Sequence, residues 1–399
     1  MPTETDAKLL LEARELLPDA IALRRRIHAH PELGLELPQT RSAVLDSIAD
    51  LELDVVESRE TSGLLATLDS GRPGPHLLLR ADMDALPMPE DTGLDFASTE
   101  PGRMHACGHD AHTAMLATAA RLLHRRRDQL AGRVTFFFQP GEEGHFGAKR
   151  VLDEGLLEGE RSPDAVFAIH IDPRLPVGRV ASRPGPLLAA ADVWSAELTG
   201  RGGHASMPHD TLDPVPVACE IVQALQTLVT RRIDAFDPVV LTVTKIEAGT
   251  TNNVIPESAR LLGTLRSTSE QSRQRARDGI RRIIDRVSAA HEIEATIHIV
   301  DGYPVTVNEA AFTEFTREVT TGLLGEDAFL EMRSPVMGAE DFSYLLQRWP
   351  GAMVFLGVRP EGVSQPAPCH SNRMLLDEEG MAAGIALHAA MALRYLATA

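Results

Sequence analysis

Three short apolar runs limit the fold more than any other feature. Residues 76–82 (HLLLRAD), 133–139 (RVTFFFQ) and 165–171 (AVFAIHI) are short for helices and carry apolar side chains on both faces of an extended chain. A strand covered on both sides reads this way, and the second run is bounded by Gly132 and Pro140. Such strands need helices above and below. Helical spacing supplies them over 7–30, stopped at Pro31, and over 113–127, just after a Cys- and His-rich loop. With a further strand at 64–69, the alternation predicts an α/β layer with a mostly parallel sheet flanked by helices.

The pattern changes after Pro184-Gly185-Pro186. Strand 192–199, helix 213–231, strands 239–247 and 258–266, helix 269–290 and strand 294–301 follow. That order is β-α-β-β-α-β, a ferredoxin-like α+β arrangement. Ser267 and Glu270 suggest a capping box for the second helix, and Cys219 inside the first is expected in the core. After Gly302-Tyr303-Pro304 the first pattern returns, with a helix near 308–324, a strand at 352–358 and a helix at 377–396. The chain of 399 residues exceeds what one core usually serves. The expected domains are 1–185 with 302–399, and an inserted 186–301.

A formal charge of −18 argues against nucleic acid or an anionic membrane as partner, since both call for a basic surface. Three cysteines are too few for a disulfide framework and suit a reducing compartment. The N-terminal stretch has no basic start followed by an apolar run, and no stretch of about eighteen apolar residues occurs, so neither a signal peptide nor a membrane span is expected. A cytoplasmic location follows as an expectation.

Chemistry-bearing residues gather where strands end. Cys107-Gly108-His109 sits between a strand and a helix, and thiolate and imidazole both bind zinc-type metals. Glu142 and Glu143 follow the strand 133–139; one carboxylate can bind metal while the other accepts a proton. His170 ends the strand 165–171, and either Cys369 or His370 could bind metal from a later loop. Asp82 and Asp84 could orient ligand histidines. Taken singly, each has a bland explanation: a packed histidine, a solvated acidic turn. Together they point to one shared site. Cys107, His109, Glu143, His170 and His370 make five ligands, more than one zinc-type ion usually takes from protein, so two ions sharing a ligand are expected. In the inserted domain, Gly200–Ser206 (GRGGHAS) offers His204 as a donor to an oxyanion, and Arg266 with a nearby Asn suits a carboxylate. A GxSxG elbow, a Walker loop and a Rossmann fingerprint are absent.

On these residues the chain resembles the two-metal aminoacylase and carboxypeptidase family, in the branch of auxin-conjugate hydrolases, hippurate hydrolases and bacterial N-acyl-amino-acid amidohydrolases. The matching stretches are HPELG (30–34), RADMDALP (80–87), MHACGHDAHTAML (104–116), QPGEEG (139–144), GRGGHAS (200–206), TNNVIP (251–256), GTLR (263–266) and MGAEDFSYLL (337–346). The resemblance implies that Cys107, His109, Glu143, His170 and His370 hold two divalent ions: zinc, manganese, cobalt or nickel. It implies that Glu142 is the general base toward a metal-activated water and then the proton donor. It implies an inserted lid that dimerises, with His204 stabilising the oxyanion in its own or the partner's site, and Asn253 and Arg266 holding the substrate carboxylate. Gly141 stands where the branch often has Ala. Cys369 precedes the ligand histidine, and Asn372-Arg373-Met374 replace a more usual Pro and aromatic. The expected function is hydrolysis of N-acyl-L-amino acids. The alternatives are a dipeptidase or carboxypeptidase of the same chemistry, or a catalytically silent metal-binding dimeric protein.

Overall fold

The computed structural model describes residues 4–397, which form two compact units. The first comprises residues up to 187 with 307–334 and 344 onward; the second comprises 188–306 and 335–343.

The first unit is built on an eight-stranded sheet. Its central strand, β3 (His76–Asp82), is buried at every residue. β4 (Arg133–Gln139) and β5 (Ala165–Asp172) flank it, both parallel to it. The strand Gly351–Gly357 extends the parallel set beside β5. On the other side, β2 (Leu64–Asp69) pairs antiparallel with β4, and β1 (Asp54–Glu57) with β2. The largely parallel α/β layer expected from the three apolar runs is therefore present. So is its physical cause: strands covered on both faces. The helices α1 (Glu4–His28), α3 (His109–His124) and Met381–Ala397 pack against one another, with α2 (Pro38–Ile48) against α1 and α3. Their apolar faces and those of the strands form one core. The segment Glu378–Ala397 is long and apolar enough to cross a bilayer, contrary to the reading that no such stretch occurs, but it is mostly buried as a core helix.

Two boundaries matter for the site. α3 begins at His109, not at 113, so His109, Asp110 and His112 lie on its first turn rather than in a loop. Gly108 makes this entry possible: its φ is +82°, and a β-carbon there would stand 2.5 Å from Ile171 Cγ1.

A buried ion network anchors that turn. The Arg24 Nε donates to Asp110 Oδ2 at 3.0 Å, and His28 Nδ1 lies 2.8 Å from the same oxygen. His28 Nε2 meets Glu90 at 3.1 Å. Helix α1 thus grips the N-terminus of α3 through charge as well as through apolar packing.

The second unit carries a four-stranded antiparallel sheet in the order Val239–Ala248, Ser258–Ser267, Ala190–Thr199, Glu294–Val300. The helices Pro214–Arg232 and Glu270–Ala290 cover one core with it. The element order is the β-α-β-β-α-β read from sequence. Arg273, on the second helix, is nearly buried and donates to Asp192 at 2.9 and 2.6 Å. Three local expectations are corrected. The cap of the second helix is Ser269, which accepts from Ser272 N–H at 3.0 Å; Ser267 still belongs to the strand, whose pairing continues through it. Cys219 is exposed, because Val217, Ala218 and Ile221 take the buried face. Residues 335–343 fall in the second unit, where the carbonyls of Val336 and Gly338 accept the Ala189 N–H.

The His28 network carries a pH signature. Burial works against its charge, but Asp110 and Glu90 outweigh it and raise its pKa from 6.5 to about 9. A raised folded pKa gives stability that is fully present below 6.5 and lost as pH rises through about 9. The melting temperature is therefore expected to fall more steeply over this range in the wild type than in His28→Gln. Parallel curves in thermal melts would remove the network from the stability of the first unit.

Candidate metal centre

The C-terminal ends of β3, β4 and β5 meet at one edge of the sheet, where parallel α/β sheets place their ligands. β3 ends in Asp82 and, two residues on, Asp84, respectively 0% and 1% exposed. Asp82 accepts from Arg80 at 2.6 Å and lies 2.6 Å from His112 Nδ1. His112 Nε2 in turn accepts the Ile171 N–H at 2.8 Å. Its tautomer is thereby fixed: Nδ1 carries the proton toward Asp82. Burial, only partly offset by Asp82, lowers its pKa to about 4, so it stays neutral and ties α3 to β5.

Asp84 works on backbone. Its two carboxylate oxygens accept the N–H groups of Glu142 and Glu143 at 2.9 and 3.0 Å. That bidentate grip sets the turn after β4. The turn also uses Gly141 at φ +70°, where a β-carbon would stand 2.6 Å from Leu35 Cδ2; Ala, usual in the resembling branch, would strain this backbone.

The sequence candidates of the first unit converge here. Cys107 Sγ is 3.3 Å from His170 Nε2. His170 Nδ1 donates to the Ile171 carbonyl at 2.6 Å, which leaves Nε2 as the lone-pair nitrogen facing Cys107. His370 Nε2 is 3.2 Å from Glu143 Oε1, and His109 Nε2 is 4.0 Å from the same oxygen. Cys107, His109 and His170 bring donor atoms within 4.8 Å of one another, and so do Cys107, Glu143 and His370; the two groups share Cys107. His109, Glu142 and Glu143 form a third such group. Bonds of about 2.0–2.3 Å to a tetrahedral ion set neighbouring donors roughly 3–4 Å apart; the Cys107–His170, Glu143–His370 and Glu143–His109 contacts, at 3.3, 3.2 and 4.0 Å, have that spacing.

The charge balance calls for cations. Neither ring nitrogen of buried His109 makes a hydrogen bond of ordinary geometry, although carboxylate oxygens of Asp84 and Asp82 stand at 3.5 and 3.6 Å. Burial alone would keep this imidazole neutral; Asp82, Asp84 and Glu143 instead raise its pKa to about 10. Cys107 is pushed up as well, by its hydrogen bond with Cys369, by burial and by Glu143 and Glu142. Protons thus occupy the positions where the surrounding acids demand positive charge. The donor set, one thiolate with imidazoles and carboxylates, fits two divalent ions.

His204, Asn253 and Arg266 lie in the second unit. There His204 and Val254 are partners in a short antiparallel pair, and the Ala205 N–H donates to the Asn253 carbonyl, so two of the three stand on neighbouring backbones. The Ser206 N–H donates to His204 Nδ1 at 3.1 Å, leaving the proton of the neutral ring on Nε2. Arg266 is half-buried on the strand Ser258–Ser267. Sequence reasoning anticipated Asp82 as an orienting acid but missed His112 and the backbone grip of Asp84. A side chain that binds the backbone of another strand end leaves no local pattern; the acid pair after a buried strand was the only trace.

The family model for peptidase family M20/M25/M40 matches residues 78–394. IAA-amino acid hydrolase ILR1-like 4 of Arabidopsis thaliana is 39% identical over 380 residues, covering 94% of this chain and 85% of that protein. Thermostable carboxypeptidase 1 of Saccharolobus solfataricus is 38% identical over 392 residues, covering 97% of this chain and 98% of that one. The crystal structure of the Bacillus subtilis YXEP protein, a dinuclear metal binding peptidase, superposes with a TM-score of 0.84 at 31% identity, covering 97% and 99% of the two chains.

Loading the site must displace protons from His109 and Cys107, because both hold them in the ion-free protein at neutral pH. Metal affinity is therefore expected to fall as pH falls, by about a hundredfold per unit when two protons leave. Calorimetric titration with zinc in buffers of different ionisation heat reads the proton count; zero protons released near pH 7 would contradict this charge balance.

Proposed function

The chain belongs to peptidase family M20/M25/M40, and on that footing we propose that it hydrolyses the amide bond of N-acyl-L-amino acids, with Cys107, His109, Glu143, His170 and His370 holding two divalent ions and Glu142 moving the proton. In support stand the family's peptidase description, an IAA-amino acid hydrolase among the relatives and a dinuclear metal binding peptidase among the similar structures. The observation that carries the finer reading is Glu142. It is 6% exposed, clusters with His109 and Glu143, and is needed by neither of the two donor groups that share Cys107.

Two divalent ions, when bound, supply Lewis-acid polarisation of the scissile carbonyl and activation of water. The protein's own groups do the rest. Glu142, held in register by the Asp84 grip on its backbone, accepts the proton of the attacking water on a carboxylate oxygen and delivers it to the leaving amine nitrogen. Glu143 cannot share that task while it neutralises an ion. His204, protonated on Nε2 by virtue of its Ser206 contact, is suited to donate to the developing oxyanion. Arg266 and Asn253 offer a guanidinium fork and an amide for the carboxylate of the substrate. A homodimer through the second unit and a cytoplasmic setting belong to this reading, as does the choice among zinc, manganese, cobalt and nickel.

The likeness to a carboxypeptidase keeps peptide hydrolysis by the same residues as the second reading. Assay of a panel of N-acetyl amino acids against the matching dipeptides, with each metal restored after chelation, separates the two. N-acyl substrates are expected to be cleaved at least tenfold faster; preference for dipeptides would favour the second reading. Glu142→Gln is expected to lose about 10²–10⁴-fold in kcat with metal content unchanged. Near-normal turnover in that variant would sink the assignment of Glu142.

A further inference from the structure

Cys369 has no part in the chemistry above, yet it is placed against one of the proposed ligands. Among the described residues it joins no cluster of three mutually close metal donors. It lies instead beside Cys107, close enough for the two side chains to interact. The backbones beneath the two sulfurs are joined: the His370 N–H donates to the Ala106 carbonyl at 2.8 Å, one residue from each cysteine. His370, next to Cys369, holds φ +67° in the left-handed region. A disulfide needs α-carbons roughly 4.4–6.8 Å apart, the range of directly hydrogen-bonded neighbouring segments. Exposure differs between the partners. Cys107 is buried, whereas Cys369 is partly open to solvent.

From this juxtaposition we infer that Cys107 and Cys369 form an oxidisable thiol pair, a modification site for hydroperoxides that withdraws Cys107 from the donor set. The partly exposed Cys369 sulfur attacks one oxygen of hydrogen peroxide; an S–O bond forms, the O–O bond breaks, and the departing hydroxide takes the thiol proton to leave as water. Cys107, losing its proton or its ion, then attacks the Cys369 sulfenic sulfur; the S–S bond forms and the S–O oxygen leaves as a second water. Two thiols are oxidised by two electrons and one peroxide is reduced to two waters. A small dithiol reverses the change. The linkage itself needs no assumption about metal. Its consequence, release of an ion, rests on the proposed role of Cys107 as the donor common to two groups.

The test uses the full chain loaded with zinc and treated with hydrogen peroxide. Intact and peptide mass spectrometry after alkylation count free thiols, and a chromophoric chelator follows zinc. Wild type and Cys219→Ser should each lose two alkylatable thiols, yield a peptide linked between Cys107 and Cys369, and release zinc in step; dithiothreitol should restore the thiols. Cys369→Ser should load zinc equally, form no internal link and keep its zinc. Cys369→Ala repeats the control should the serine variant fold poorly. The pair is overturned if Cys107 and Cys369 stay alkylatable, if they end as separate sulfinic acids, or if the Cys369 variants release zinc at the wild-type rate. A linkage that forms without zinc release would overturn the loss of an ion and, with it, the place of Cys107 among the ligands, while leaving the thiol pair established.

Discussion

A buried carboxylate is costly unless positive charge or several donors answer it, and the end of β3 buries two. Much of the first unit can be read as the answer. Asp82 takes Arg80 and His112; Asp84 takes two backbone N–H groups from the turn after β4; His109 faces both and remains without a good hydrogen bond. What these contacts leave unsatisfied is positive charge, beside a thiol, imidazoles and Glu143. Gly108, the early start of α3 and the ion network from α1 serve the same end, because each fixes where His109 stands.

The same acids divide the labour of the site. Because Asp84 holds consecutive backbone N–H groups, the two glutamates of the turn share one rigid platform. Glu143 is drawn toward His370 and His109, and this company lowers its pKa against the opposing effect of burial. Glu142, on the same platform, clusters with His109 and Glu143.

The fold was legible where the reason for it is local. Short, mostly apolar runs, the second bounded by Gly132 and Pro140, marked β3, β4 and β5 within a residue, and the change of period after Pro186 marked the start of the β-α-β-β-α-β unit. The misses have physical causes. The first turn of α3 is polar, so periodicity could not see a helix starting at His109. Helix α2 begins at Pro38 and buries only Thr40, Ala43, Val44 and Ile48, too short a stripe to stand out. Ser269 rather than Ser267 caps its helix because the strand before it runs one residue longer than its pattern suggested and takes in Ser267. In the site, residues whose chemistry is carried by the side chain itself (Cys107, His109, Glu142, Glu143, His170, His370) could be nominated from type and position. His112 could not, and Asp84 was nominated for a different role, to orient ligand histidines, since the contacts of both are made on the backbone of another element.

Metal stoichiometry is the most direct measurement. Protein stripped by chelation, reloaded with zinc, dialysed and analysed for metal per chain should hold two ions, and His170→Ala and His370→Ala should each reduce that content while the fold survives. One ion per chain in the wild type, or full loading in both variants, would contradict a dinuclear centre built around a shared Cys107.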